Sequence, residues 1–314
     1  MKKQDNSPTI GADTRVRYIK LGEAGSWEKE CREKGLLRFG FGSATKERLP
    51  LCMAGKWKEL SASFVKGGKD KGTATRFTNE TRIFFEDAGS ILWITFMGEC
   101  LHWGLLDSAR PQRHPDGDGV YRQIKGGWKA TDIKGELLTK DRLSGALTKL
   151  SSYRGTSCNV DVAQYVIRRV KGEKTPEVER ALTASVELKA SILQMVRLLG
   201  PGDFETLVDL VFSTSGWRRL GAVGKVQKTL DLDLMLPSTG ERAFVQVKSR
   251  TTQAELNKYI GALDNLGPYE RMFYVYHSGQ AHTTDERVIV INPEKLAEMA
   301  FDAGLTNWLI RKVA

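Results

Sequence analysis

The sequence predicts an α/β chain in two parts: a strand-rich N-terminal domain and a C-terminal domain of alternating strands and helices, joined by a helical connector. Three observations predict it. Residues 229–249 alternate apolar and polar positions with a period of two on either side of a turn. Helical spacing flanks that stretch on both sides, and short apolar runs separated by glycine turns fill much of residues 15–106. At 314 residues the chain is comfortable for two domains, each able to bury a core.

Residues 1–13 are expected to be disordered, and residues 14–135 to form the first domain. Arg15 to Leu21 alternates into a strand, Gly22 to Gly25 turns, and Ser26 is placed to cap a short helix through Lys34, with Glu28 and Glu30 in its first turn. Leu36 to Phe41 is a second strand, and Lys56 to Lys66 has moderate helical spacing. Lys66-Gly-Gly-Lys-Asp-Lys-Gly72 reads as a flexible basic loop whose Lys66, Lys69 and Lys71 are suited to lie on phosphates. Arg82 to Phe85, Ile91 to Met97 and Cys100 to Leu106 read as strands, with tight turns at Asp87-Ala-Gly89 and Gly98-Glu99. Several short strands around one helix predict a small barrel or a curled sheet.

Residues 136–199 read as the helical connector. Thr139 to Tyr153 carries Leu143, Leu147 and Leu150 at helical spacing, Val160 to Val170 is a second helix, and Pro176 opens a long one to about Leu199. Lys171-Gly-Glu-Lys-Thr-Pro176 is the expected joint. Arg168, Arg169, Lys171 and Lys174 around it fit a solvated charged face or a contact with a DNA backbone.

Residues 200–314 hold the most informative stretch. Leu230, Leu232, Leu234 and Leu236 share one strand face, while Asp231 and Asp233 share the other. Pro237 to Gly240 turns, and in the returning strand Phe244, Gln246 and Lys248 share a face opposite Ala243, Val245 and Val247. Paired as an antiparallel hairpin, the strands bring an aspartate to the Gln-x-Lys pair. A carboxylate, an amide oxygen and a backbone carbonyl make a hard oxygen site for a cation such as Mg²⁺, and an ammonium beside it can hold a water. Each feature also has a plainer explanation. Asp-x-Asp on an exposed strand is commonly just solvated, and Glu205 in a first helical turn complements the helix dipole.

This order of residues resembles the PD-(D/E)xK nuclease superfamily, in its Mrr-like restriction endonuclease branch, where Gln commonly replaces the acid of the E-x-K motif. The resemblance rests on Pro201-Gly-Asp-Phe-Glu205 opening a helix, Gly216-Trp217, the Asp hairpin, Val245-Gln-Val-Lys248, a helix from about Gln253, the strand Met272 to Tyr276, and a closing strand and helix ending in Trp308. It implies a restriction-endonuclease-like mixed sheet flanked by helices. It also implies that Glu205, Asp233, Gln246 and Lys248 are catalytic, and that Mg²⁺ or Mn²⁺ is held by Asp233, Gln246 and the Val247 carbonyl. The family often shows Asp-Gly-Gly-hydrophobic-Asp, whereas this chain has Thr229-Leu-Asp-Leu-Asp233. The spacing of thirteen from Asp233 to Gln246 favours Asp233 as the ligand, with Asp231 in reserve.

The opening strand, Gly22-Glu-Ala-Gly-Ser-Trp-Glu28, Gly35-Leu-Leu-Arg-Phe-Gly-Phe-Gly42 and a later aromatic strand give the first domain a faint resemblance to the PUA-like superfamily of modified-base readers, of the EVE, YTH and SRA kinds. That resemblance implies a pocket in which an extruded base stacks on aromatic rings, with Trp27 and Trp103 as its expected walls. His102 and His114 show no metal-ligand spacing.

Charge divides unevenly. Residues 1–174 hold 32 Lys and Arg against 21 Asp and Glu, while residues 175–314 hold 16 against 17, so the net basic character lies in the first half and suits a polyanion. Cys31, Cys52, Cys100 and Cys158 are far apart and suggest neither zinc nor disulfides. No apolar run is long enough for a membrane span and the opening Met1-Lys-Lys-Gln-Asp-Asn has no signal core, so the cytoplasm is the expected location. The resulting expectation is a metal-dependent endonuclease that cuts double-stranded DNA with modified bases, such as phage DNA. Cutting of both strands by one site per chain favours a homodimer. The rivals are a catalytically inactive nucleic-acid-binding fold, an RNA-directed nuclease and an adaptor in a defence assembly.

Overall fold

The computed structural model describes residues 10–40, 42, 45–220, 231–263 and 269–314. The expected strand end at Phe41 and the hairpin's first residues, Thr229 and Leu230, lie outside these described residues. The chain divides into two compact units, Met1–Thr175 and Pro176–Ala314, at the Lys171-to-Pro176 joint. Both are α/β with sheets flanked by helices.

The first unit contains strands β1 (Arg15–Ile19), β2 (Leu36–Phe39), β3 (Ile91–Met97), β4 (Cys100–Leu105), β5 (Gln112–Arg113), β6 (Val120–Gln123) and β7 (Ser157–Asn159). They form two open sheets, in the orders β4-β3-β1-β7 and β2-β6-β5, and no closed barrel exists among the described residues. The expected barrel is thus corrected to a four-stranded sheet in which β1 runs parallel to β3 and antiparallel to β7. β3 explains the layout. Its seven residues are all buried, and the period of two sends Leu92, Ile94 and Phe96 into one core and Ile91, Trp93 and Met97 into another.

The helices of this unit depart most from expectation. α1 (Glu28–Lys34) begins one residue later than a Ser26 cap requires, because the 3-10 turn Glu23–Gly25 takes up Ser26, and Trp27 stands at the N-cap without a side-chain bond. α2 (Arg48–Met53) and α3 (Trp57–Lys66) lead to α4 (Lys71–Glu86), which absorbs Arg82 to Phe85, the stretch expected to be a strand. Buried Ala74, Thr78, Thr81 and Phe84 recur at four, three and three, a helical interval. The threonines satisfy their hydroxyls within the helix, Thr78 donating to Ala74 O at 2.8 Å and Thr81 to Phe77 O at 2.8 Å. Glu80 of α4 then pairs with Arg17, which is buried in β1. The expected basic loop shrinks to a connection between α3 and α4, with Asp70 capping α4 through Thr73 N at 2.9 Å. Lys66 ends α3, Lys71 begins α4, and Lys66, Lys69 and Lys71 are exposed.

The expected disordered start lies outside the described residues up to residue 9, and Ile10 is already packed in the core of the four-stranded sheet. The stretch 136–199 is not a separate connector. Leu138, Leu143, Leu147 and helix α6 (Ala163–Val170) fill the first unit's core, whereas α7 (Pro176–Leu198) gives Ile192 and Val196 to the second. Thr139 to Tyr153 breaks into short turns around α5 (Gly145–Thr148), since Ser144 and Gly145 interrupt the helical spacing.

The second unit runs α7, α8 (Pro201–Thr214), β8 (Arg218–Arg219), β9 (Leu232–Met235), β10 (Arg242–Lys248), α9 (Gln253–Ala262), β11 (Arg271–Tyr276), β12 (Val288–Ile291), α10 (Pro293–Asp302) and α11 (Thr306–Val313). Its five-stranded sheet, β12-β11-β10-β9-β8, is mixed: β8, β9 and β10 are antiparallel, while β10, β11 and β12 are parallel. Leu232, Leu234, Ala243 and Val245 meet Val196, Phe204, Leu207, Leu296 and Leu309 from α7, α8, α10 and α11. On the other face Phe244, Tyr274 and Tyr276 meet Leu256 of α9. Among the described residues no helix is long and apolar enough to cross a membrane.

Candidate functional site

β9 and β10 decide which aspartate meets the Gln-x-Lys pair. Leu236 N bonds Glu241 O at 2.9 Å and closes a four-residue turn, after which Asp233 faces Phe244 and Leu232 faces Val245. One step further along the ladder, Asp231 stands opposite Gln246, and Asp231 N donates to Val245 O at 3.2 Å. The expectation that Asp233 meets Gln246 is therefore corrected: the turn length sets the register, and the register selects Asp231.

Asp231 Oδ2 accepts the Val247 amide at 2.6 Å and also the Gln246 Nε2 group. Gln246 is 3% exposed, and its Oε1 is buried without a hydrogen-bond partner among the described residues. A buried unbonded amide oxygen costs free energy unless something polar meets it. In an extended strand a residue's N–H and C=O point to the same side, so the Val247 carbonyl faces the edge its amide faces, toward Asp231.

Lys248 completes the group. Its ammonium lies 3.8 Å from Glu255 Oε1 and 5.0 Å over the Tyr259 ring. Burial works against its charge, but the Tyr259 hydroxyl, Asp231 and Glu255 outweigh burial and hold its pKa above the ordinary lysine value. Glu255 and Tyr259 were not foreseen from the sequence. Their signal is an i, i+4 pair in the helix just after the Lys248 strand, which turns both residues toward the strand end.

Asp233 and Glu205 stand apart from this group. Both oxygens of Asp233 accept from Arg242 Nη2, at 3.1 and 3.0 Å, and Tyr269 beside it is raised by burial and then by the Asp233 charge. Glu205 is exposed on α8 and, among the described residues, makes no hydrogen bond or ion pair; the neighbouring acids Asp209 and Asp203 pair with Arg219 and Lys312.

Among the described residues no group of three or more His, Cys, Asp or Glu side chains could hold a metal ion. Asp231 meets Gln246 and Val247 through their nitrogens, and the oxygens these three residues carry are the Asp231 carboxylate, Gln246 Oε1 and the Val247 carbonyl. In chemical type, oxygens of this kind suit an ion such as Mg²⁺, which takes oxygen ligands, keeps several waters, and is commonly bound through one or two carboxylates together with substrate phosphate.

The aromatic walls expected in the first unit are otherwise occupied. Trp103 is fully buried and donates Nε1–H to Thr131 O at 2.7 Å, so it is a core residue. Trp27 is half-buried under the Arg38 guanidinium, 4.3 Å from its ring centre, and Arg38 is held by Glu30 and Asp116. His102 lies 3.2 Å from Cys100 O, and burial lowers its pKa; His114 lies between Glu30 and Asp116. The four cysteines are free. Comparison with protein-family models, with curated proteins and with solved structures finds no match for this chain.

Proposed function

We propose that this chain is a metal-dependent endonuclease that hydrolyses phosphodiester bonds of double-stranded DNA, in the manner of a restriction enzyme directed at foreign DNA carrying modified bases. The observation that carries the reading is the Gln246 side chain, whose Nε2 meets the Asp231 carboxylate and whose buried Oε1 has no hydrogen-bond partner among the described residues, on β10 two residues before Lys248 at its end. Asp231, Gln246 and the Val247 carbonyl would hold Mg²⁺ or Mn²⁺, which when bound supplies positive charge for a phosphate and a more acidic water. Lys248 keeps its proton at neutral pH, because Tyr259, Asp231 and Glu255 favour its charged form. An ammonium has donors and no acceptor, so Lys248 orients the water or the phosphate and does not act as a base. In this reading Asp233 braces Arg242, and Glu205 is left as a solvated helix residue.

The net basic charge of residues 1–174 supports DNA as the partner and gives the first unit the part of holding and selecting it. Cutting both strands calls for two copies, and α7 supports that requirement. Its apolar side, buried at Ile192 and Val196, continues outward through Val178 and Leu182, 46 and 47% exposed, with Val186 beside them at 68%. The enzyme would act in the cytoplasm.

The test is incubation of the full chain with supercoiled plasmid carrying modified or ordinary cytosine, and with duplex RNA, in Mg²⁺ and in chelator. Cutting of DNA that chelator stops is the expected result. Cutting of RNA alone favours the RNA-directed rival, and tight binding without cutting in any metal leaves a nucleic-acid-binding fold.

A further inference from the structure

Helices α2, α3 and α4 build a small core of their own in the first unit, from Cys52, Leu60, Phe64 and Ala74, and residues 67–70 alone join α3 to α4. α4 has 16 residues and is about 24 Å long at 1.5 Å per residue. Ala74, Thr78, Thr81 and Phe84 bury one side of it. Along the other side Lys71, Thr75, Asn79 and Arg82 follow at intervals of four, four and three, with Arg76 beside them, and all five are exposed.

The free charge on that side has one sign. Lys71 and Arg76 make no ion pair among the described residues, and neither do Lys66 at the end of α3 and Lys69 in the connection. Lys69 and Arg76 lie 6.0 and 5.6 Å from the centre of the Phe77 ring, so two of these cations flank one half-buried side chain. The carboxylates of α4 and its cap are already engaged. Asp70 caps α4 through Thr73 N at 2.9 Å, Glu80 pairs with Arg17, and Glu86 pairs with Arg82 at 2.8 Å and accepts from Trp57 Nε1 at 2.9 Å. Cations gathered without counter-charge repel one another, and an anionic partner relieves that cost. The rest of the row narrows the partner. The Asn79 amide makes no hydrogen bond among the described residues, and Thr75, which donates to Lys71 O at 2.8 Å, keeps its acceptor capacity. None of the exposed residues of α4 is a large apolar one, so the helix has nothing on this side to bury in a membrane surface.

We propose that α4 lies in the major groove of intact double-stranded DNA, with Arg76 and Asn79 at base edges and Lys66, Lys69 and Lys71 on the phosphates that flank the groove. The groove is about 12 Å wide and admits one α-helix. Arg reads guanine and Asn reads adenine there through paired hydrogen bonds, while phosphate contacts fix the position of the helix on the duplex. Sequence is read directly in this way, with every base left in its stack. The inference rests on DNA as the partner of the first unit, but not on the chemistry at Lys248: α4 selects where the chain sits, whatever is then done there.

The test is made in chelator, so that no metal-dependent cutting intervenes. The full chain is mixed with two pools of DNA duplexes of random central sequence, one with ordinary and one with 5-methylated cytosine, and the bound duplexes are sequenced. Affinity for an enriched duplex is then followed by fluorescence anisotropy at several salt concentrations, for the unaltered chain, for Asn79→Ala and for the triple change Lys66→Ala, Lys69→Ala and Lys71→Ala. The altered residues are exposed and alanine favours a helix, so each variant is expected to fold, which circular dichroism checks. The unaltered chain should enrich a preferred sequence. Asn79→Ala should bind that sequence about tenfold more weakly and lose the preference at one position, the worth of one paired base contact. The triple change should weaken binding to all duplexes alike and reduce the slope of log affinity against log salt by about three. Failure to enrich any sequence from either pool, or the same enrichment and affinity in Asn79→Ala, overturns the proposal. So does duplex RNA bound as tightly as DNA, because its major groove is too narrow to take a helix. Where any of these results accompanies Mg²⁺-dependent cutting, the role of α4 falls and the nuclease stands; the expected binding without cutting in Mg²⁺ removes the nuclease and leaves the role of α4.

Discussion

Replacing the two aspartates of β9 and its approach one at a time separates the register from the motif. Asp231 Oδ2 accepts from the Val247 amide at 2.6 Å and from Gln246, so Asp231→Asn keeps the shape while removing the charge. Hydrogen bonds to a charged group contribute about 1.5–3 kcal/mol and neutral ones about 0.5–1.5, which over the two bonds places the stability loss at about 2–3 kcal/mol. At a site that stabilises charge on a phosphate the same change should lower cleavage by on the order of 10²-fold. Asp233→Asn weakens the pair with Arg242, whose side chains are 23 and 34% exposed for Asp233 and Arg242 respectively, and the contact with Tyr269. Partly exposed pairs are worth about 0–1 kcal/mol, so cleavage should stay within about threefold of the unaltered chain. Single-turnover nicking of plasmid in Mg²⁺, with denaturant unfolding of each variant, measures both quantities. Abolition of cleavage by Asp233→Asn, with Asp231→Asn active and both folded, would refute the reasoning from register to site.

Two further outcomes follow from named contacts. The Lys248 pKa is raised in the folded chain, so its favourable contribution is complete below the ordinary lysine value of about 10.4 and fades as pH rises through the higher folded value. Tyr259→Phe removes the hydroxyl that supports this shift, and denaturation from about pH 9 to 12 should show the variant losing less stability than the unaltered chain toward the alkaline end. On α7, the paired change Leu182→Lys and Val186→Lys puts charge into the bare apolar stripe and should turn a dimer into a monomer in sedimentation equilibrium. A chain that sediments as a monomer at every concentration removes the second copy from the account.

The C-terminal hairpin was legible because period two is unambiguous there. Leu232 and Leu234 turn inward to meet Val196 and Leu207, and Asp231, Asp233 and Gln246 take the opposite face. Which aspartate meets Gln246 was not legible, because a turn of four residues rather than the interval between motifs sets the pairing. The partners of Lys248 also come from tertiary structure, α9 folding back over β10. In the first unit, Thr78, Thr81, Ile83, Phe84 and Phe85 have strand propensity, but Arg17 with Glu80 and the helical recurrence of buried positions override it. Trp103 and Trp27 look alike in sequence, and only packing shows one to be core and the other covered by Arg38.

The proposed nuclease stands on Lys248 at the end of β10. Its most direct measurement compares the unaltered chain with Lys248→Ala in the same Mg²⁺ buffer and on the same DNA, recording cleavage and binding side by side. Cleavage by the unaltered chain, its loss in Lys248→Ala, and DNA affinity in the two that agrees within about threefold are expected, since one charge among many contributes little to binding. Full cleavage by Lys248→Ala would contradict it.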